Sequence, residues 1–380
     1  MSWRASTVKI EKGHFLELAK QSEREFSELC KQFNISKATG YRLLKRYQEE
    51  GEQALEERSR RPHTMPLKTA YEIEQLIIKT RLLHPTWGGD KLRHYLLKQG
   101  HKVMPHEKTI DRILKRNGLI TAEESEKHTA WKRFEHAYPN DLWQMDFKGH
   151  FKTGETRCHP LTLLDDHSRY SLLLKACANE QMLTVKEALI EVFRENGLPQ
   201  RMTMDNGSPW GYSGKQLHTQ LTAWLIHIGI KVSHSRPKHP QTQGKLERFH
   251  RTLKLELLSR YEFRDLDEAQ EGFDHWQKIY NEERPHAAIS LQVPKARYEK
   301  SKRRYPEQLP EIEYDSLNCY AVRKVQQGGT ISLYGKEYRI GDAFLGYPVG
   351  LKTTEEEGVV DVYFSHQKVV KIDLRYPSKI

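Results

Sequence analysis

Three carboxylates stand where element boundaries would bring reactive groups forward. Asp146 sits mid-way along DLWQMDFKGHF, which reads as a strand. Asp205 opens the turn Asp205-Asn206-Gly207 directly after the short apolar run Arg201 to Met204. Glu247 lies in the first turn of a helix read from Leu246, Phe249, Leu253 and Leu257, which repeat at helical spacing. Carboxylates repel one another, so three of them gather only around shared cations. Oxygen donors of this hardness select magnesium or manganese. Two such ions, about 3.5–4 Å apart, activate a water or a hydroxyl and stabilise the departing oxygen of a phosphodiester. Glu247 also has a plainer reading, an i,i+4 pair with Arg251 on the helix surface.

The elements that would position these residues run from Asp141 to about residue 298. DLWQMDFKGHF is a first strand, Leu161 to Leu164 a second and Tyr170 to Ala176 a third, with the turn Asp165-Asp166-His167-Ser168-Arg169 between the last two. A helix over 180–196, a strand over 201–204, a helix over 215–228, a strand over 231–234 and the Glu247 helix follow. That order is an α/β sandwich. A long helix over 266–283 ends at Arg284-Pro285-His286. In the turn, Asp165 and Asp166 read as turn formers pairing with Arg169 rather than as metal ligands. His250 reads as a helix-surface histidine, with a ligand or proton carrier as the rival.

Two helical segments precede this core. Residues 22–50 resemble a helix-turn-helix, with Ser22 and Glu25 as a capping box and Ser36 capping the second helix. Ala38, Tyr41 and Leu43 or Leu44 should face inward. Lys37, Thr39, Arg42, Lys45 and Arg46 are left outside, an inventory that suits guanine edges and phosphates in a major groove. A plain helical hairpin with a solvated basic face is the alternative. Residues 68–119 read as a second such unit, with Asp90 capping its middle helix, a wing near His101 to Met104, and Lys108, Arg112, Lys115 and Arg116 outward. Lys245, Arg248 and Lys254 are further candidates for phosphate contacts. The tail from about Tyr314 alternates apolar and polar residues and suits a small β-barrel. The divisions expected are 14–60, 67–120, a linker over 121–140, a core over 141–298 and a barrel over 314–380. Residues 56–66 and 299–312 read as basic, proline-containing linkers.

Composition agrees with a nucleic-acid partner. The 380 residues carry 62 Lys+Arg against 51 Asp+Glu, a formal charge of +11, which suits a polyanion. This length exceeds what one hydrophobic core usually organises. No apolar run approaches the ~20 residues of a membrane span, and the first residues lack the apolar stretch of a signal peptide. Cys30, Cys158, Cys177 and Cys319 form no short-spaced pair, which disfavours a zinc site or a disulfide framework and points to a reducing cytoplasm.

The sequence resembles the DDE transposases of bacterial insertion sequences, in the retroviral-integrase superfamily. WQMDF around Asp146, MDNGSPW around Asp205, SRPKHPQTQGKLERFHRTLKLE around Glu247 and the downstream WQKIYNEERPHAAI carry the likeness. A lone Asp-Asn-Gly is a common turn; joined to HPQTQGKLERFH it is specific. The resemblance implies a multidomain α/β protein. Its parts are a ribonuclease-H-like core, N-terminal helix-turn-helix domains and a C-terminal small β-barrel. It implies Asp146, Asp205 and Glu247 as catalytic ligands of two Mg²⁺ (or Mn²⁺) ions. It further implies action on the terminal inverted repeats of a mobile element, with 3′-end cleavage and strand transfer by a homodimer or higher homo-oligomer on paired DNA ends. The interval from Asp205 to Glu247 is longer than the family's usual one, and the stretch 209–215 is the place for an insertion. Two other classes stand beside this: a DNA-binding regulator that has lost catalysis, and a ribonuclease-H-like nuclease. All three carboxylates being present speaks against the first, and two DNA-reading units against the second.

Overall fold

The computed structural model describes residues 8–21, 25–56, 69–120, 135–211, 218–235, 244–315 and 319–376. The chain divides into two compact units, residues 1–68 and 69–380.

The first unit holds helices α1 (Val8–Gln21), α2 (Phe26–Gln32) and α3 (Lys37–Glu50) around Phe15, Leu16, Leu29, Cys30 and Leu43. Ser36 caps α3 as expected, its Oγ accepting the Thr39 N–H at 3.1 Å. Helix α2 differs from expectation. It starts at Phe26 with Glu25 at the N-cap and no side-chain cap bond, and Ser22 lies outside the described residues. The inward face of α3 is also shifted. Ala38 and Tyr41 are exposed, while Gly40 and Leu43 are buried. The reason is steric: a Cβ at Gly40 would stand 2.8 Å from the Cys30 sulfur and 2.9 Å from the Phe26 ring. The missing side chain lets the two helices approach closely.

The second unit begins with α4 (Tyr71–Leu83), α5 (Gly89–Lys98) and α6 (Glu107–Arg116), packed around Ile77, Trp87, Leu92, Ile110 and Leu114. The N-cap of α5 is Gly88, two positions before Asp90, which lies inside the first turn and accepts the Lys91 N–H at 2.8 Å. Residues 101–106 carry no strand, so the expected wing is not formed there.

The core is a six-stranded sheet. Its strands are β1 (Leu142–Phe147), β2 (Phe151–Thr153), β3 (Thr156–Asp165), β4 (Ser171–Cys177), β5 (Arg201–Met204) and β6 (Lys231–His234). The path runs β2-β3-β1-β5-β6, with β4 also on β3. β1, β3 and β4 pair antiparallel, and β1, β5 and β6 parallel. Helices α7 (Met182–Asn196) and α8 (Gln220–His227) cover the face carrying Trp143, Met145, Met202 and Met204. Helices α9 (Gly244–Leu253) and α10 (Leu266–Lys278) cover the face carrying Cys158, Leu164 and Leu174. DLWQMDFKGHF is two strands rather than one, because β2 turns away to pair with the start of β3.

Both outer strands have some of their free backbone groups met by side chains, which blunts the hazard of an open sheet edge. On β4, Gln270 accepts the Ala176 N–H at 2.8 Å, and Asn281 accepts the Ser171 N–H at 2.9 Å and donates to its carbonyl at 3.0 Å. On β6, Gln367 accepts the Val232 N–H at 2.8 Å and donates to its carbonyl at 2.9 Å. Gln367 opens β12 (Gln367–Asp373) of an antiparallel sheet ordered β12-β11-β10-β7, with β7 (Ala321–Lys324), β10 (Pro348–Thr353) and β11 (Val359–Phe364). The hairpin β8 (Thr330–Leu333) and β9 (Lys336–Arg339) accompanies it. The segment read as a linker over 299–312 is fastened down: the Arg303 guanidinium donates to the carbonyls of Pro199 and, at 2.6 Å, of Gly229.

Candidate active site

Register places the first two carboxylates. The parallel pairing of β1 with β5 sets Leu142 opposite Arg201, Trp143 opposite Met202 and Gln144 opposite Thr203. Asp146 lies two residues beyond the last of these pairs on β1 and Asp205 two residues beyond it on the other side, just past the end of β5, so both carboxylates stand at the same end of the paired strands. Alternation sends Trp143 and Met145 into the α7–α8 core and turns Gln144 and Asp146 to the α9 face. Asp205 leaves β5 at once into a tight turn. Its Oδ1 accepts the Gly207 N–H at 3.0 Å, its carbonyl takes the His234 Nδ1–H at 2.8 Å, and Asn206 donates to the Ser235 carbonyl at 3.0 Å. Trp210, buried, stacks on Phe147 with centroids 5.7 Å apart, so the turn is anchored to the strand that bears Asp146.

The electrostatics register this closeness. Burial, and then the like charge of Asp205, push the Asp146 carboxyl up to about 7; the Phe147 backbone hydrogen bond opposes them, and Glu180 and Glu247 add smaller repulsions. Glu247 is thus near enough to be felt, but it is exposed in the first turn of α9. No three His, Cys, Asp or Glu side chains among the described residues stand close enough to hold an ion as they are. Asp146 and Asp205 fit a divalent cation in donor type and in unbalanced charge.

That charge has a measurable consequence. The folded pKa of Asp146 lies above its unfolded value, so proton binding favours the folded state. This contribution is complete below about pH 4 and is lost as the pH rises through about 7. In chelator, Asp146→Asn should therefore melt higher than the parent, by on the order of 2 kcal/mol at pH 8 after solvent screening, with the gap closing towards pH 4. His250, whose ring burial holds down to about 3, acts in the opposite sense in both proteins and cancels from the difference. A gap that did not vary with pH would contradict the assignment.

The other candidate residues divide. His250 is not a surface histidine: it is largely buried, and its Nε2 bonds Thr162 Oγ1 at 2.8 Å. Asp165 is a turn former, accepting from Ser168 N at 2.7 Å and Asn140 N at 2.8 Å, and its carbonyl takes the Arg169 N–H at 3.0 Å, but neither its carboxylate nor that of Asp166 pairs with the Arg169 guanidinium. Arg169 pairs with Glu135 at 3.3 Å, while Asp166 takes Lys245. Lys245 is therefore turned into the protein and away from solvent. Arg46 is likewise engaged, with Glu50 at 2.8 Å and the Glu56 carbonyl at 2.9 Å, and the Thr39 hydroxyl is held by Ser36 at 2.8 Å. Lys37, Arg42 and Lys45 on α3, Lys108 and Arg112 on α6, and Arg248 and Lys254 around α9 are exposed. Thr162 was missed in the sequence. Its signal was a lone hydroxyl within the apolar run Leu161-Thr162-Leu163-Leu164.

Comparison with known proteins agrees with this architecture. Two integrase core domain families match residues 136–240 and 228–294. The C-terminal domain of IS481 family transposases matches 320–379, a homeodomain-like domain 39–114 and a helix-turn-helix domain 11–63. Among similar proteins is an insertion element IS407 protein of Burkholderia multivorans, 25% identical over 41% of this chain and 54% of its own length. An IS476 protein of Xanthomonas euvesicatoria is 26% identical over 42% and 44%. The chain thus spans about half the length of these two relatives. The transposase of IS904 from Lactococcus lactis is 24% identical over 61% of this chain and 97% of its own. Among solved structures, the HTLV-2 integrase catalytic core domain overlays with a TM-score of 0.34 at 18% identity, covering 43% of this chain and 99% of that one. The simian T-cell lymphotropic virus intasome gives 0.37 at 13%, covering 77% and 99%.

The fold and these matches define a protein with a ribonuclease-H-like integrase core and helix-turn-helix domains before it. More narrowly, residues 320–379 are similar to the C-terminal domain of IS481 family transposases, and the similar proteins named above belong to bacterial insertion elements.

Proposed function

We propose that the chain binds the terminal inverted repeats of a mobile element and catalyses 3′-end cleavage and strand transfer through Asp146, Asp205 and Glu247. The observation that carries this reading is the parallel β1–β5 pairing that brings Asp146 and Asp205 to one end of the sheet, with the like-charge repulsion of Asp205 felt at Asp146. Asp146 and Asp205 would hold a divalent cation, magnesium or manganese, and Glu247, on a flexible side chain at the start of α9, would complete the ligand set. Bound there, such an ion supplies neutralisation of the phosphodiester charge and polarisation of its oxygens. The protein's own part is positional. The Gly207 amide and Trp210 fix the Asp205 turn, and β3 fixes β1. The exposed cations Arg248 and Lys254 flank the approach to Glu247 and suit DNA phosphates. Lys37, Arg42 and Lys45 on α3 and Lys108 and Arg112 on α6 suit element-end DNA, with paired ends held by two or more copies. Thr39 and Arg46 would serve by shaping α3, and Lys245 by fixing α9.

The test offers purified chain and Mg²⁺ to duplex DNA bearing the element's ends, together with target DNA. Joined products requiring all three carboxylates support the reading. Cleavage without joining would favour a nuclease, and end binding with neither would favour a regulator.

A further inference from the structure

Glu247 is the exposed member of the three carboxylates, and its place depends on how α9 sits. Leu246, Phe249 and Leu253 are buried beneath the helix, but apolar contact is non-directional and tolerates a slide or a rotation. Two polar contacts do not. Before Glu247, the Lys245 ammonium meets the Asp166 carboxylate, which also accepts Gln144 Nε2 at 2.9 Å and the His136 N–H at 3.0 Å. Gln144 lies two residues ahead of Asp146 on the same face of β1. After Glu247, His250 bonds Thr162, and the Thr162 hydroxyl donates to the Asp146 carbonyl at 2.7 Å. Thr162 is also the cross-strand partner of Asp146 and is fully buried. Its one hydrogen being committed to that carbonyl, its oxygen must accept from His250, so the imidazole is in the Nε2–H form.

We propose that Thr162 and His250 are positioning residues that hold the Glu247 helix in register with the Asp146 strand, with Lys245 and Asp166 as the second fastening. The inference rests on the catalytic reading above. It removes the His250 Nε2 from metal ligation and proton transfer, because that nitrogen already donates to Thr162. Burial keeps the ring neutral.

The test compares variants that keep the donor with variants that lose it. Thr162→Val and His250→Met keep volume and lose the bond; Thr162→Ser and His250→Gln keep it, the glutamine Nε2 standing where the imidazole Nε2 stood. Three readouts are taken on the full chain: joining rate, Mn²⁺ affinity by calorimetry, and hydrogen exchange of the α9 amides. Thr162→Val and His250→Met should slow joining by ~10–100-fold, weaken Mn²⁺ binding, and speed exchange in α9. Thr162→Ser and His250→Gln should recover most of each. The Val/Met double variant should be little worse than either single change, because both break one linkage. Wild-type joining and Mn²⁺ affinity in both losing variants would overturn the proposal. So would equal loss in His250→Gln and His250→Met. Asp146→Asn run alongside separates the two levels: if it still joins DNA, the catalytic reading fails, and if it is dead while the losing variants behave normally, only the positioning role fails.

Discussion

Asp205→Asn should abolish joining, with a loss of at least about a thousandfold (~4 kcal/mol of barrier), while end-bearing DNA is shifted in gels at an unchanged protein concentration. The substitution exchanges a hard anionic donor for a neutral amide of the same shape. The turn survives it, because the asparagine oxygen can still accept the Gly207 N–H now taken by Asp205 Oδ1 at 3.0 Å, and the His234 contact is made to the backbone carbonyl. The loss should therefore fall on chemistry alone. Circular dichroism should match the parent, and in chelator the melting point should not fall, because losing the Asp205 charge relieves its repulsion of Asp146. Full joining by a folded Asp205→Asn protein would show that the pair is not where the reaction occurs.

Glu256→Ala should cost stability rather than chemistry, by about 3–5 kcal/mol. Glu256 lies in the continuation of α9, and its carboxylate accepts from Arg284 Nε at 3.0 Å, Thr86 Oγ1 at 2.6 Å and Trp276 Nε1 at 3.2 Å. Arg284 and Glu256 are each only about a tenth exposed at the side chain, 10% and 11%. Removing the acid strands a buried guanidinium and cuts the tie between the turn at 84–87 and the core. Glu256→Gln, which keeps acceptor geometry, should lose less. Glu256→Ala with Arg284→Met should regain part of the loss, since no charge is then left unpaired. The check is the urea midpoint of each protein. A loss under about 1 kcal/mol in Glu256→Ala, as for a solvated surface pair, would contradict the buried network.

What the sequence made readable follows from periodicity. Leu246, Phe249 and Leu253 are all buried, as a 3.6-residue stripe demands. Asp146 on a strand and Asp205 at a strand end were readable from the short runs around them, whereas the parallel pairing of β1 with β5 was not. The order of strands and helices in the core emerges the same way, as does the capping role of Ser36. Long-range polar pairing left no such trace. Nothing local tells that Lys245 meets Asp166, that Arg169 meets Glu135, or that Gln270, Asn281 and Gln367 cover strand edges. Each depends on elements brought together only by the finished fold. Gly40 misled for a different reason: a residue without a side chain adds nothing to a hydrophobic pattern, yet it marks the closest approach of two helices. Helix α1, with its weak apolar pattern and polar flanks, was passed over on the same account.

The most direct measurement is an anomalous-scattering map from crystals of the full chain soaked in manganese. The account predicts an ion bound by carboxylate oxygens of both Asp146 and Asp205, at roughly the 2.0–2.2 Å of a hard-cation bond, with Glu247 swung in to share an ion. Manganese bound only elsewhere, or Glu247 left beyond reach of ions that saturate the two aspartates, would contradict it.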